Sequence, residues 1–232
     1  MPNNVLNKLR IEGPKFRIQE VWDFLRTTDD DGETHPISFN KLVPMPKSLK
    51  CKDGSYGDLA YRVLFKESLP GDMWLDEDNE EEEKFYSMSR MIRNEATILA
   101  HQYRENILKY GHKTWYGWSI TNWGTKWDAY DQMLDGDTLM FNTAWSGVPK
   151  IIEKISEKFP DLTLHYQFAD EDIGCNVGDM TFYGGRCVDD TSPKNQTKAA
   201  YDLAFELRPG ANSYYRLVNG EWKYDDDWEI NQ

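Results

Sequence analysis

The order in which this chain switches between strand-like and helix-like apolar patterns is the sequence feature that most constrains its fold. Alternating apolar residues predict a first strand at residues 4–12. The segment that follows has an apolar stripe at helical spacing, formed by Ile18, Val21, Trp22 and Leu25. Further along the chain, the same patterns predict three more strands, at residues 126–134, 138–145 and 162–169. A helix that begins near Pro149 separates the last two of these strands.

The resulting order is strand, helix, strand, strand, helix, strand, which is the split βαβ or ferredoxin-like pattern. It predicts an α+β protein with an antiparallel sheet, whose core comprises residues 1–27 and 126–190. A long stretch, residues 28–125, interrupts the pattern between the first helix and the second strand. It predicts a large, mainly helical insertion that packs on the core. Residues 191–232 predict a C-terminal extension with one helix and a hairpin that turns at Asn219-Gly220.

The strongest helical signal in the insertion lies between residues 80 and 110. Apolar or small residues recur there at spacings of three and four, and glutamates at the start complement the helix dipole. Gly111 can supply a left-handed cap. We therefore predict one continuous helix at residues 82–110. Residues 38–49 contain two prolines, which predict an extended connection.

Tryptophan is concentrated in one stretch, residues 115–128, which holds four of the nine tryptophans of the chain. Large aromatic side chains most often anchor a core, so we expect Trp123 and Trp127 to be buried and the intervening loop to be fixed by Asn122 and Thr125. A binding surface is the alternative interpretation. Both interpretations concern the same set of residues, Trp115, Trp118, Asn122, Trp123, Trp127 and Trp145.

Negative charge is the other marked property of the sequence, which has a formal net charge of −13. An excess of this sign repels nucleic-acid phosphates and attracts basic partners. The densest acidic run is the candidate contact for such a partner, and a solvated helix start is the alternative interpretation. The run consists of Asp76, Glu77, Asp78, Glu80, Glu81, Glu82 and Glu83.

Catalytic motifs are missing from the sequence. It has no P-loop, GxGxxG or GxSxG pattern, and its four histidines do not share the spacing of a zinc site. One group of carboxylates near the tryptophans offers acid–base chemistry: Asp128, Asp131, Asp135 and Asp137. Because Asp135 and Asp137 flank Gly136, we interpret these two as turn residues. We therefore predict no cofactor, no metal and no enzymatic activity, with an unrecognised carboxylate or histidine site as the alternative.

Cysteine usage and hydropathy bear on the compartment. The three cysteines form no CxxC pair, and an odd number of thiols suits a reducing compartment. The sequence has no run of eighteen apolar residues, so no membrane span is predicted. We expect a cytoplasmic protein.

Several sequence words resemble the YubB-like family of phage- and plasmid-borne proteins, which have a ferredoxin-like domain. They are Asn7-Lys-Leu-Arg-Ile-Glu-Gly13, Phe39-Asn-Lys-Leu-Val-Pro-Met-Pro46, Trp115-Tyr-Gly-Trp118, Asn122-Trp-Gly-Thr-Lys-Trp-Asp-Ala129 and Phe141-Asn-Thr-Ala-Trp-Ser146. The resemblance implies a ferredoxin-like fold and a mobile genetic element as the source. It brings no catalytic residues. An iron–sulfur cluster needs four cysteine thiolates, which three scattered cysteines do not supply.

Charge, resemblance and the missing motifs together suggest a function. We expect an acidic accessory protein that binds and inhibits a basic, nucleic-acid-handling host protein, such as a defence nuclease, by mimicking nucleic-acid charge. The sequence does not predict its oligomeric state. A nucleic-acid-binding ferredoxin-like module is the alternative, although the basic and aromatic motif of RNA-recognition domains is missing.

Overall fold

The computed structural model describes residues 3–70 and 80–225. The chain divides into two compact units. The core unit comprises Met1–Pro44 and Trp123–Gln232, and the helical unit comprises Met45–Asn122.

The core unit alternates strands and helices, and most of its elements lie after the helical unit in the chain. Its elements before the helical unit are β1 (Asn4–Glu12), α1 (Lys15–Leu25), β2 (Thr27–Thr28), β3 (Thr34–His35) and α2 (Phe39–Leu42). The helical unit contains a 3₁₀ turn (Lys47–Leu49), α3 (Ser55–Phe65), α4 (Glu80–Ser87), α5 (Arg90–Tyr110) and α6 (Trp115–Trp123). The last residue of α6 belongs to the core unit. The chain then continues with β4 (Tyr130–Asp135), β5 (Thr138–Ala144), α7 (Pro149–Lys158), β6 (Thr163–Asp170), β7 (Val177–Tyr183), β8 (Arg186–Asp190), α8 (Lys198–Leu207), a second 3₁₀ turn (Ala211–Tyr214), β9 (Tyr215–Val218) and β10 (Glu221–Tyr224).

The main sheet has the order β4-β5-β1-β6-β7-β8, and every neighbouring pair is antiparallel. Its first four strands, with α1 and α7, form the ferredoxin-like arrangement that the sequence predicts. β7 and β8 extend this sheet at the β6 edge. The turn between them uses Gly184 and Gly185, both with positive φ.

Strand alternation decides which face of the sheet is buried. On β1, the inward residues Val5, Asn7, Leu9 and Ile11 are all inaccessible to solvent. Val148, at the start of α7, donates its backbone N–H to the inward residue Tyr166. The opposite face is partly covered by α8, whose Ala200, Ala204 and Leu207 pack with Ala169 and Val177.

The helical unit has its own hydrophobic core, built mainly by α3 and α5. The buried residues include Leu59, Ala60, Tyr61, Phe85, Ala96, Ala100 and Tyr103. The prediction of one continuous helix at residues 82–110 is wrong, because α4 ends at Ser87 and α5 begins at Arg90. Ser89 caps α5 by accepting from the backbone N–H of Ile92 at 3.4 Å, and this local hydrogen bond replaces the continuation of α4.

Two further predictions are corrected in part. The strand predicted at residues 126–134 begins later, because β4 starts at Tyr130. The segment 38–49 is not entirely extended, since α2 and the first 3₁₀ turn lie within it. Its prolines, Pro44 and Pro46, occupy the connection between these two elements. No helix among residues 3–70 and 80–225 is both long and apolar enough to cross a lipid bilayer.

Candidate partner-binding surface

Three strand ends meet at one end of the main sheet. In the antiparallel register, Asn4 at the start of β1 is opposite Ala144 at the end of β5, and Val5 is opposite Asp170 at the end of β6. The segments that continue from these strands therefore lie side by side. The segment that follows β5 begins with Trp145, whose backbone conformation is unusual.

Trp145 has a left-handed backbone conformation, with φ of 69°. This conformation costs free energy for a side chain with a Cβ atom, and it persists only where the surroundings fix it. The backbone N–H of Trp145 donates to the carbonyl of Asn3 at 2.9 Å, and its carbonyl accepts from Nδ2 of Asn176 at 2.9 Å. The next carbonyl, of Ser146, accepts from the Thr143 hydroxyl at 2.7 Å. These bonds fix the backbone of Trp145 and so the direction in which its side chain leaves the chain.

This ring belongs to an exposed group of aromatic residues. Trp145 is 41% exposed and Trp127 is 37% exposed, and the Lys126 ammonium lies 4.9 Å and 4.8 Å from their ring centroids. Tyr130 packs edge-on against Trp127 with ring centroids 6.5 Å apart. We call Lys126, Trp127, Tyr130 and Trp145 the tryptophan surface.

Buried polar contacts hold this surface to the sheet. The Thr125 hydroxyl donates to the carbonyl of Ala144 at 2.9 Å and accepts from its backbone N–H at 3.1 Å, which fixes the chain just before Lys126. On the other side, the Tyr130 hydroxyl donates to Oδ1 of Asn4 at 2.5 Å. The sequence singles out Thr125 for this role but not Tyr130, and the two anchors together preorganise this part of the surface.

The predicted tryptophan cluster separates into a buried part and an exposed part. Trp123 is buried, contacts Phe39 edge-on and donates Nε1 to the carbonyl of Val43 at 3.0 Å. The prediction that Trp127 is buried is wrong, because its side chain lies on the exposed surface. Trp127 and Trp145 instead fit the alternative interpretation, in which these aromatic side chains lie on the surface.

The first part of the cluster is helical. The predicted loop is α6, since Trp115–Trp123 forms a helix. Asn122 donates to the carbonyl of Trp118 at 2.9 Å, a contact within that helix rather than across a loop. Trp118 is buried, whereas Trp115 is half-buried and stacks edge-on with Tyr116.

The acidic run is only partly described. Asp76, Glu77 and Asp78 lie outside the described residues. Within α4, Glu81 pairs with Arg62 of α3 at 2.8 Å and Glu82 pairs with Lys66, which follows α3, so two cations offset half of the four glutamates. Glu80 and Glu83 are exposed and form no ion pair with the described residues. The acidic contact surface of α4 therefore reduces to these two side chains.

The carboxylate group near the tryptophans does not form one site. Asp128 accepts from the Ser38 hydroxyl at 2.6 Å and from the backbone N–H groups of Phe39 and Ala129 at 2.7 and 2.9 Å. Burial raises the pKa of Asp128, and these hydrogen bonds oppose that rise. Asp135 ends β4 opposite Thr138, so the predicted turn is confirmed. Asp128 therefore anchors the start of α2.

One cluster of possible metal ligands was missed by the sequence reasoning. Ligand atoms of Asp29, Glu33 and His35 lie within 4.8 Å of one another, beside a groove of about 600 Å³. The Asp29 carboxylate accepts from the backbone N–H groups of Asp31 and Glu33, and its other oxygen contacts His35 Nε2 at 3.0 Å. These bonds explain the cluster as a turn that joins β2 to β3. The signal in the sequence was the close spacing of the three residues.

The fold and this surface define an α+β protein with a ferredoxin-like core and an exposed aromatic surface. Residues 122–208, from the end of α6 to the end of α8, match the family model described as the ferredoxin-like domain in Api92-like protein. The chain is also similar to the crystal structure of a protein api92 from Yersinia pseudotuberculosis, with 11% identity and a TM-score of 0.34, over 84% of this chain and 99% of that chain. No curated protein matches the chain significantly.

Proposed function

We propose that this protein acts by binding another protein through the tryptophan surface. The observation that carries the proposal is the left-handed Trp145, a large exposed ring held by hydrogen bonds on both sides of its peptide. Folding gains nothing from the exposed part of such a ring, so the cost of its backbone conformation suggests a role in recognition. Tryptophan is also the residue type most enriched among interface residues that carry binding energy.

The negative net charge of the chain supports a basic protein as the partner. The net charge of −13 raises the rate at which a cationic protein encounters this chain. Lys126 shows that the faces of Trp127 and Trp145 accept a cation, because its ammonium lies within 5 Å of both rings. A lysine or arginine of a partner can take the same place when Lys126 moves aside. Glu80 and Glu83 of α4 are a second, weaker contact.

The resemblance to YubB-like proteins supports a more specific role. A mobile element benefits when a host defence is blocked, and a defence protein that handles nucleic acids presents a basic surface. We propose that the partner is such a host protein and that binding inhibits it. The same resemblance supports the host cytoplasm as the place of action.

Direct binding of nucleic acid is the alternative, because aromatic rings beside a lysine can stack bases. The sheet itself offers no stacking platform of the RNA-recognition type. The outward residues of the central strand β1 are Asn4, Leu6, Lys8, Arg10 and Glu12, none of which is aromatic. We therefore assign this alternative to the tryptophan surface, which lies at one end of the main sheet.

The proposal is tested by capture of partners from a host lysate with the wild-type chain and with Trp145→Asn. Asparagine tolerates the left-handed conformation, so this variant removes the ring without adding backbone strain. We expect a partner retained by the wild type to be lost, with affinity reduced at least about tenfold for an interface tryptophan. Met133→Ala, at a side chain that is 61% exposed, is the matched control and should bind normally.

Two results would count against the proposal. One is a partner that binds Trp145→Asn and Trp127→Ala as tightly as the wild type. The other is tight, salt-sensitive binding of single-stranded oligonucleotides to the wild type, which would favour the alternative. A comparison of Glu80→Gln/Glu83→Gln with Glu81→Gln/Glu82→Gln measures the contribution of α4, because only the first pair lacks partners within the described residues.

A further inference from the structure

Arg208, which follows the last residue of α8, is a half-buried cation that forms no ion pair within residues 3–70 and 80–225. Its Nε donates to the carbonyl of Ala169 at 3.3 Å and its Nη2 donates to the carbonyl of Asn4 at 2.6 Å. No carboxylate among the described residues lies within 4.0 Å of its guanidinium. These two bonds use two of its five N–H donors, so three donors are left for a ligand.

A cavity of about 390 Å³ adjoins this guanidinium. Its walls include the side chains of Ile173, Tyr214, Tyr215 and Tyr224. The rings of Tyr215 and Tyr224 are 5.5 Å apart at 86°, because the two residues are directly paired across the β9–β10 hairpin. The size falls within the range of small-molecule sites, and the lining combines apolar rings with one charged group, as such sites do.

The acidic residues nearby, Asp170 and Glu171, attract the charge of Arg208 without a contact within 4.0 Å. Asp170 accepts from Nδ2 of Asn3 and of Asn176 and from the backbone N–H of Asp172. Glu171, which also lines the cavity, accepts from Nδ2 of Asn4 at 2.9 Å. Burial lowers the pKa of Arg208, and the charges of Glu171 and Asp170 oppose that fall without cancelling it. The cavity therefore has at its wall a guanidinium with three N–H groups that bond no described residue.

We propose that this cavity binds a monovalent carboxylate attached to an aromatic group, such as an aromatic residue at the C-terminus of a peptide. A guanidinium presents its N–H groups in a plane that matches a carboxylate, and the tyrosine rings pack against an aromatic neighbour. Glu171 and the net charge of −13 disfavour a dianionic phosphate at the same place. The site is independent of the proposed function, because it contains no residue of the tryptophan surface.

Two probes that differ in one group test this proposal. N-acetylphenylalanine has the carboxylate and the ring, whereas its amide has the ring alone. Titration of the full chain, followed by calorimetry or by NMR shifts of the tyrosines, should show the acid binding at least about tenfold more tightly than the amide. Inorganic phosphate is the third probe and should bind more weakly than the acid.

Variants then assign the contact. Arg208→Gln should abolish the preference for the acid, and Arg208→Lys should retain part of it, because the charge remains but the planar group does not. Arg208 also bonds two strand ends, so far-UV circular dichroism and the melting temperature must be compared with the wild type. Tyr224→Leu leaves Arg208 intact and should weaken the acid and the amide by the same factor.

Four results of these titrations would overturn the proposal or its carboxylate assignment. Equal binding of acid and amide to the wild type, or binding of neither, overturns the proposal without any variant. A preference for the acid that survives Arg208→Gln also overturns it. Tighter binding of phosphate than of the acid would reject the carboxylate assignment. None of these results bears on the tryptophan surface, which is tested by Trp145→Asn.

Discussion

The Tyr166 hydroxyl donates to Oδ1 of Asn7 at 2.5 Å, and neither residue is accessible to solvent. The same hydroxyl accepts from the backbone N–H of Val148 at 2.6 Å. Nδ2 of Asn7 donates to the Thr143 hydroxyl at 2.8 Å and to the carbonyl of Val5 at 2.9 Å. This buried network joins β1, β5 and β6 to the start of α7.

Removal of one hydroxyl tests the network. Tyr166→Phe leaves Oδ1 of Asn7 and the N–H of Val148 without their partner, at a cost of about 1–3 kcal/mol for each buried group. We expect the free energy of unfolding, measured in urea, to fall by this cost. Tyr183→Phe, at an exposed tyrosine, is the control. A loss no larger than that of the control would mean that water replaces the hydroxyl.

Asp128 predicts a pH dependence of stability. Its pKa is higher in the folded chain than the ordinary value of 3.8, because burial disfavours the charged form. The folded state therefore holds the proton more tightly, and the contribution of this group to stability falls as pH rises from 3.8 through the raised pKa. Asp128→Asn does not titrate, so wild type should lose stability relative to this variant over that interval.

The comparison needs an exposed carboxylate as its control. Asp131→Asn serves this purpose, because Asp131 is exposed on β4. A gain of wild-type stability relative to Asp128→Asn over the same interval would contradict the predicted sign. Asp128→Ala should lose about 1–3 kcal/mol at neutral pH, since it removes the acceptor of the Phe39 N–H.

Substitution of the two tryptophans predicted to lie in the core should change the free energy of unfolding by different amounts. Trp123→Ala removes a ring that is 5% exposed and should destabilise by about 3–5 kcal/mol. Trp127→Ala removes an exposed ring and should change the free energy of unfolding by less than about 1 kcal/mol. Urea unfolding followed by circular dichroism measures both. Equal losses would place both rings in the core.

Two glycines close around the ring of Phe168. A Cβ atom on Gly147 would lie 2.6 Å from the ring, and one on Gly178 would overlap with its edge. Gly147→Ala and Gly178→Ala should each destabilise by about 1–3 kcal/mol, the usual cost of an overpacked core. Gly54→Ala is the control, because nothing lies within 4 Å of its added Cβ. The double variant Gly178→Ala/Phe168→Leu should recover part of the loss.

Much of the core unit was predictable from periodicity. The strand at residues 4–12 is confirmed at both ends, because its alternation is regular and Gly13-Pro14 follows it directly. The helix after Pro149 and the hairpin at Asn219-Gly220 are also confirmed, since each depends on one residue with restricted or permissive φ. Local rules sufficed at these places.

The break between α4 and α5 and the helix α6 were not predictable in the same way. The apolar stripe continues across Met88 and Ser89, and periodicity alone does not show that Ser89 caps a new helix. Trp145 is a similar case, because its left-handed conformation depends on Asn3 and Asn176, which are far away in sequence. The local enrichment in tryptophan did not distinguish the buried Trp123 from the exposed Trp127.

The position of β1 has a consequence for synthesis on the ribosome. β1 pairs with β5 and β6, so Asn4 is opposite Ala144 and Val5 is opposite Asp170. At a translation rate of about 5–20 residues per second, these partners emerge on the order of ten seconds after β1. The helical unit, which is contiguous in sequence, is complete before β5 is made. Valine, leucine and isoleucine of β1 are uncovered during that interval, so the yield of folded chain should depend on chaperones that bind nascent strands.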